Sequence, residues 1–264
     1  MLLIDITIIV LRETLEASIL VAVLLSVSRS IGLRVTWVFV SLIFGLVGSV
    51  VYGSSLGFIS DWFNYAGQEV VNAALQMSVY FLILALIFIR SIAIDGSNRV
   101  FQILMSSIVS VALIREGSEI YVFYAGYFDN TASLLTALTS GFVGVSIGLS
   151  VGAIVFYSLA MANQSLARIL HSALLILVAA GMVLQATQLL IQVDWISSGE
   201  PLWNSGSFIA ESSVIGQMAY AIFGYEATPS LIELAAYSLS LIGLVSATLI
   251  ANTFRTTKIL SRDA

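Results

Sequence analysis

Residues 3–27 read LIDITIIVLRETLEASILVAVLLSV, and residues 101–124 read FQILMSSIVSVALIREGSEIYVFY. Both are apolar runs long enough to cross a bilayer as a helix, for which about 20 residues suffice. Each also carries, near its middle, a cluster that lipid does not tolerate alone: Arg12-Glu13-Thr14-Leu15-Glu16 in the first and Arg115-Glu116-Gly117-Ser118-Glu119 in the second. The pattern R-E-x-x-E therefore occurs twice. Its six charges at membrane depth, at about 2.5–3.5 kcal/mol each, would cost roughly 15–20 kcal/mol if unpaired. A chain that carries this burden in two helices has a use for it.

The rest of the sequence sets the frame. Of 264 residues, 59% are hydrophobic and 9% are charged, with a mean hydropathy of +1.04. A soluble domain is about 45–50% apolar and about 25% charged, so the chain reads as an all-α polytopic membrane protein. Apolar runs at about 3–27, 35–59, 70–90, 101–124, 133–160, 169–192 and 230–252 predict seven spanning helices in one transmembrane domain. No basic residue precedes Arg12, and Asp5 stands in the first run, so residues 1–27 read as a retained span and not as a cleaved leader. The connection 194–229 holds both prolines, Pro201 and Pro229, and its residues 207–223 are expected to form a short interfacial helix. With no Cys and one His, thiolate metal sites, iron–sulfur clusters, disulfides and a bis-His haem within the chain are excluded.

Charge placement orients the spans. Arg29, Arg34, Arg90, Arg99, Arg168, Arg255, Lys258 and Arg262 all fall on one side of a seven-span arrangement. The other side holds Asp61, Glu69, Asp129, Asp194, Glu200, Glu211 and Glu226. The positive-inside rule then places the N-terminus outside and the tail 253–264 in the cytoplasm. Trp62, Phe63, Tyr65, Tyr121, Tyr124, Tyr127, Trp195 and Trp203 cluster at the outer ends as interfacial anchors.

In a helix, positions three and four apart share a face. Glu13 and Glu16 therefore point together, as do Glu116 and Glu119, while Arg12–Glu16 and Arg115–Glu119 can pair along their helices. Four glutamates against two arginines leave an excess of negative charge, and carboxylate oxygens suit hard cations. Spans one and four run in opposite directions with their motifs at similar depth. This predicts an inverted repeat, 1–92 and 100–193, with a metal site of Glu13, Glu16, Glu116 and Glu119 at the repeat interface. The competing reading is a set of structural ion pairs locking the bundle.

Glu69, Asn72 and Gln76 in span three, and Gln185, Gln188 and Gln192 in span six, follow helical faces in the outer half. They read either as walls of an outer vestibule or as interhelical hydrogen-bond partners. Gly144, Gly148 and Gly152 form a close-packing stripe, His171 reads as a basic residue near the inner end of span six, and Asp5 and Glu233 read as solvated helix ends.

At the two charged motifs the chain resembles the oxidase-dependent iron transporter family, the high-affinity iron permeases of fungi and bacteria, whose signature is R-E-G-L-E in spans one and four. Here the copies are R-E-T-L-E and R-E-G-S-E, so every charged position matches while Thr14 and Ser118 depart. Ala179-Ala180-Gly181, Pro201-Leu202-Trp203, Phe223-Gly224-Tyr225 and Pro229 look like further landmarks of that family, and Asn72 stands where it usually has a second glutamate after Glu69. The resemblance implies iron as the transported ion, bound by the four glutamates with Arg12 and Arg115 as partners. It further implies ferric iron delivered by an extracytoplasmic oxidase or iron-binding partner, a cytoplasmic-membrane location, and no permanently bound cofactor. Composition and spacing by themselves leave a carrier of another hard or heavy cation such as Mn²⁺ or Pb²⁺ open. A metal-dependent membrane enzyme is opposed by the absence of His beside the Glu clusters and of any soluble catalytic loop. No feature points to nucleic acid.

Overall fold

The computed structural model describes residues 2–92, 98–128 and 131–260. Eight helices appear among them: α1 (Leu2–Ser30), α2 (Thr36–Ile59), α3 (Gly67–Ile92), α4 (Asn98–Ala125), α5 (Thr131–Met161), α6 (Gln164–Gln192), α7 (Val214–Phe223) and α8 (Leu231–Leu260). The described residues contain no strand beyond an isolated bridge between Pro201 and Ser230. Of the outer and tail charges named above, Asp129 and Arg262 lie outside the described residues.

Six helices, α2 to α6 and α8, are long and apolar enough to cross a membrane. α1 has the length, at 29 residues, but Arg12, Glu13 and Glu16 at its middle, with Asp5 and Arg29 toward its ends, leave no sufficiently uncharged stretch. The chain is therefore a multi-pass, all-helical membrane protein. The helices run past the apolar runs by up to several residues because their first and last turns use polar residues. α6, for example, starts at Gln164, where the Asn163 side chain accepts the Leu166 amide at 2.8 Å.

Side chains gain little from leaving lipid for a helix interface, so helices in a bilayer associate by close packing of small residues. Two seams use this. α1 packs chiefly on α5, and α2 on α4. A Cβ on Gly144 would lie 2.7 Å from the Thr7 carbonyl oxygen, and one on Gly152 2.8 Å from Ser18 Cβ. The Ser18 hydroxyl donates across the seam to the Gly148 carbonyl at 2.8 Å. On the other seam Gly45, Gly48 and Gly53 receive Leu113, Ile114 and Tyr121, and Gly117 receives Ser49. Residue numbers rise together along both seams, so each pair is parallel. α3 packs on α6 between the seams, α8 lies against both, and α7 rests on α6 and α1.

α7 is shorter than the expected 207–223 helix and is not a purely surface element. Ser213 caps it by accepting the Gly216 amide at 3.0 Å, and Gly224 ends it at φ +66. Gly224 also stands against Gly181 of α6, where a Cβ would meet Gly181 Cα at 3.0 Å. Two further expectations are corrected. Glu233 is 8% exposed and not a solvated end, because its carboxylate accepts from the Ser230 amide at 2.7 Å and hydroxyl at 2.6 Å in a capping box that starts α8. His171 is buried inside the bundle, its Nε2 sharing a 2.8 Å hydrogen bond with Ser26 Oγ.

Gly144→Ala should lower thermal stability in detergent by about 1–3 kcal/mol, because the backbone of α1 cannot yield. Gly57→Ala, with nothing within 4 Å of its Cβ position, should be neutral or slightly stabilising in the same unfolding assay.

Candidate functional site

The two motifs meet. α1 presents Glu13 and Glu16, exposed by 3% and 2%, and α4 presents Arg115 and Glu116, exposed by 4% and 2%. The Arg115 guanidinium stands among all four glutamates. Its Nη1 lies 3.5 Å from Glu13, 3.4 Å from Glu16 and 2.5 Å from Glu116, and its Nη2 lies 2.9 Å from Glu119. The expected pairs along each helix form, Arg12–Glu16 at 3.6 Å and Arg115–Glu119 at 2.9 Å. The pairs across helices, Arg115 with Glu13 and Glu16, were not legible from spacing. Arginine suits this post because its planar fork offers five donors and never loses its charge.

The two arginines are not equivalent. Arg115 is enclosed, whereas the Arg12 side chain is 33% exposed and touches Glu13 only at 3.8 Å. Arg12 instead lies with its guanidinium carbon 4.4 Å from the ring centre of Tyr220 on α7. Glu119 is the most open of the carboxylates, at 30%.

One buried oxygen each of Glu13, Glu16 and Glu116 and the Gln76 amide oxygen have no hydrogen-bond partner, and neither do the Nε groups of Arg12 and Arg115. Buried polar groups normally find a partner; here the charges pair at 3.4–3.8 Å in most cases, and acceptors and donors alike are left without close hydrogen bonds. Among the described residues, no three His, Asp or Glu side chains stand ready to hold a metal ion. The physical reason is that the Arg115 guanidinium fills the space between them.

Of the side chains expected to wall an open vestibule, Asn72, Gln76 and Gln185 are 3%, 1% and 3% exposed and lie inside the bundle. Tyr52 donates to Asn72 Oδ1 at 2.8 Å, Gln76 Nε2 to Gln185 Oε1 at 2.5 Å, and Gln185 Nε2 to Glu16 Oε2 at 3.0 Å. Amides hidden from water must satisfy one another, which draws them inward. Glu69 is half-buried one turn before Asn72. Gln188 alone of the stripe lines a cavity of about 260 Å³, together with Arg12, Glu211, Gly216, Gln217, Tyr220 and Glu226. There Tyr220 donates to Gln188 at 3.3 Å, and Gln188 donates to Glu226 at 2.7 Å. Sequence reading missed Tyr220 and the joining of Glu211 to Glu226, since nothing in the periodicity of a loop says which loop residues fold back onto a helix.

On the opposite side of the cluster the bundle is mainly apolar, the buried Ser26–His171 pair aside. Ile19, Val23 and Val27 of α1, Ile83 and Leu86 of α3, Met105 and Ile108 of α4, and Leu175 and Val178 of α6 are all buried in one core. From Glu16 to Val27 this barrier is about 16 Å thick at 1.5 Å per residue.

Residues 98–258, more than half of the chain, match the model of the iron permease FTR1 family, a stretch that holds the second motif and α4 to α8 but not the first motif. No curated protein and no solved structure matches the chain.

Removing Arg115 should be far worse than removing Arg12. Arg115→Met leaves four carboxylates facing one another and should cost about 3–5 kcal/mol of stability, read as a large fall in unfolding temperature. Arg12→Met, at a partly exposed site, should cost clearly less. In the connection between α7 and α8, burial and then the Glu211 carboxylate push Glu226 up to about 7, against the hydrogen bond from Gln188. A carboxyl raised on folding stabilises fully below its ordinary pKa, and that contribution is lost as pH rises through about 7. Hydrogen exchange at the Ala227 amide, which donates to Glu211 at 2.7 Å, should therefore show reduced protection above neutral pH, and Glu226→Gln should flatten that dependence.

Proposed function

We propose how this chain, which belongs to the iron permease FTR1 family, transports iron: ferric iron enters from outside, is held by Glu13, Glu16, Glu116 and Glu119, and is released to the cytoplasm. The observation that carries this reading is the guanidinium of Arg115 among four glutamates from two helices. A positive group already stands where a cation would. The arriving ion takes the place of the guanidinium, and its return expels the ion. Binding then stays weak enough for transit, as conduction requires.

The seven-span reading supplies the direction. With α1 to α6 and α8 crossing the cytoplasmic membrane, the N-terminus lies outside and the C-terminus inside, in accord with the sidedness of the basic residues. The two glycine seams support the inverted repeat: the first helix of each half packs on the second helix of the other, α1 on α5 and α4 on α2. The cavity beside Arg12, with Glu211 and Glu226, is the entrance, where acidic side chains concentrate the cation. The apolar barrier beyond Glu16 closes the inner side and has to part for release. An outer oxidase or iron-binding partner delivers the ion, which passes as cargo with no resident cofactor.

The test is iron uptake into proteoliposomes. Glu13→Gln and Glu116→Gln should each reduce uptake at least about tenfold while the proteins remain folded. Because the donors are all oxygen, Mn²⁺ and Pb²⁺ are run as competitors. Stronger transport of either than of iron would reassign the cargo, and uptake unchanged in both variants would remove the site.

A further inference from the structure

Gln76 is 1% exposed, and its amide oxygen has no hydrogen-bond donor. Chemistry fixes which of its amide atoms is left over. Glu16 is hydrogen-bonded by Gln185, and a carboxylate accepts, so Gln185 must turn its NH₂ toward Glu16, at 3.0 Å. The Gln185 oxygen then faces Gln76, which must answer with its own NH₂, at 2.5 Å. The Gln76 oxygen is the free end of this chain. The order of amide N and O along the chain is dictated by Glu16. Each donated hydrogen bond also polarises the next amide, which makes the terminal oxygen a better acceptor.

An orphaned acceptor at this burial is rare in a folded protein and calls for a donor or a cation. The orphans on Glu13, Glu16 and Glu116, and on the Nε of Arg12 and Arg115, belong to the charged cluster. α3 and α6, which bring the two glutamines together, pack directly on each other beside α1 and α4. Hard cations accept amide oxygens together with carboxylates.

We propose that the amide oxygen of Gln76 is a further oxygen ligand for the transported cation, presented by the Gln76–Gln185–Glu16 chain on the α3/α6 side of the four carboxylates. The proposal rests on reading those carboxylates as the cation site. Gln185 acts as a positioning residue, orienting Gln76 and Glu16 alike. A neutral ligand at this place lets the site strip water from the ion without adding negative charge to a cluster that already has it in excess.

Terbium(III), a hard oxygen-seeking trivalent ion, is the probe. Its luminescence, sensitised by nearby tyrosines, reports binding to the full-length protein in detergent, and its decay in H₂O against D₂O counts the waters left on the ion. Gln76→Met, which keeps the side-chain volume, should bind terbium about tenfold more weakly and with one more water. Gln76→Glu, which keeps an oxygen at that place, should retain the wild-type water count and affinity or bind more tightly. If Gln76→Met matches the wild type in both readouts, or if Gln76→Glu weakens binding and adds a water, Gln76 is not a ligand. Should Gln76→Met fail to fold, the Gln76→Glu result decides in the same sense. The carboxylate reading fails separately: it falls if wild-type protein binds no terbium, or if Glu13→Gln and Glu116→Gln bind it as the wild type does.

Discussion

One guanidinium among four carboxylates is the constraint from which the rest of this bundle follows. Arg115 draws Glu13 and Glu16 of α1 and Glu116 and Glu119 of α4 to one place in the bundle. Ionised groups of this number have to be enclosed away from lipid, and the enclosing work falls to α3 and α6, which close over the cluster with amides on one side and an apolar core beyond. Burying one charge alone would be prohibitive, whereas six that face one another share the cost. Even so, one oxygen each of Glu13, Glu16 and Glu116 and the Nε groups of Arg12 and Arg115 are left without a hydrogen-bond partner.

The seams that hold α1 and α4 are made of glycine because a charged cluster does little to fix helix distance, and backbone contact does. Gly144, Gly148 and Gly152 bring α5 onto α1, and Gly45, Gly48 and Gly53 bring α2 onto α4. Each motif-bearing helix is thus braced from outside by a helix that turns most of its surface to the bilayer, while its charged face is left to the interior. The asymmetry of the two arginines arises at α7. α7, tied to α6 by Gly224 against Gly181, sets Tyr220 over Arg12 and opens a polar cavity there. Arg115, 4% exposed, stays enclosed.

Much of the architecture was legible because lipid makes strong demands on sequence. Apolar runs marked the helices from α1 to α6 and α8, and the spacing of Arg12 to Glu16 and of Arg115 to Glu119 marked the pairs that form along each helix. The glycine stripe on α5 was visible for the same reason. Position along a helix did not say whether a polar face meets water or another polar face. Asn72, Gln76 and Gln185 therefore read equally as vestibule walls or as interhelical partners, and the second holds: they are buried partners of Tyr52, of one another and of Glu16. His171 and Glu233 were misjudged alike, since each finds its partner inside the fold, Ser26 in one case and Ser230 in the other.

The sequence by itself determined that the chain is helical and lives in a bilayer, that two of its helices carry a six-charge pair of motifs, and which faces of α1 and α4 carry them. These follow from hydropathy and from the period of a helix, both of which are local. Only the tertiary structure decided that the two faces converge, that Arg115 and not Arg12 occupies the centre, and that α7 folds back over Arg12. Those outcomes depend on which helices lie side by side and how closely they approach, and such distances are set by contacts between residues about a hundred positions apart.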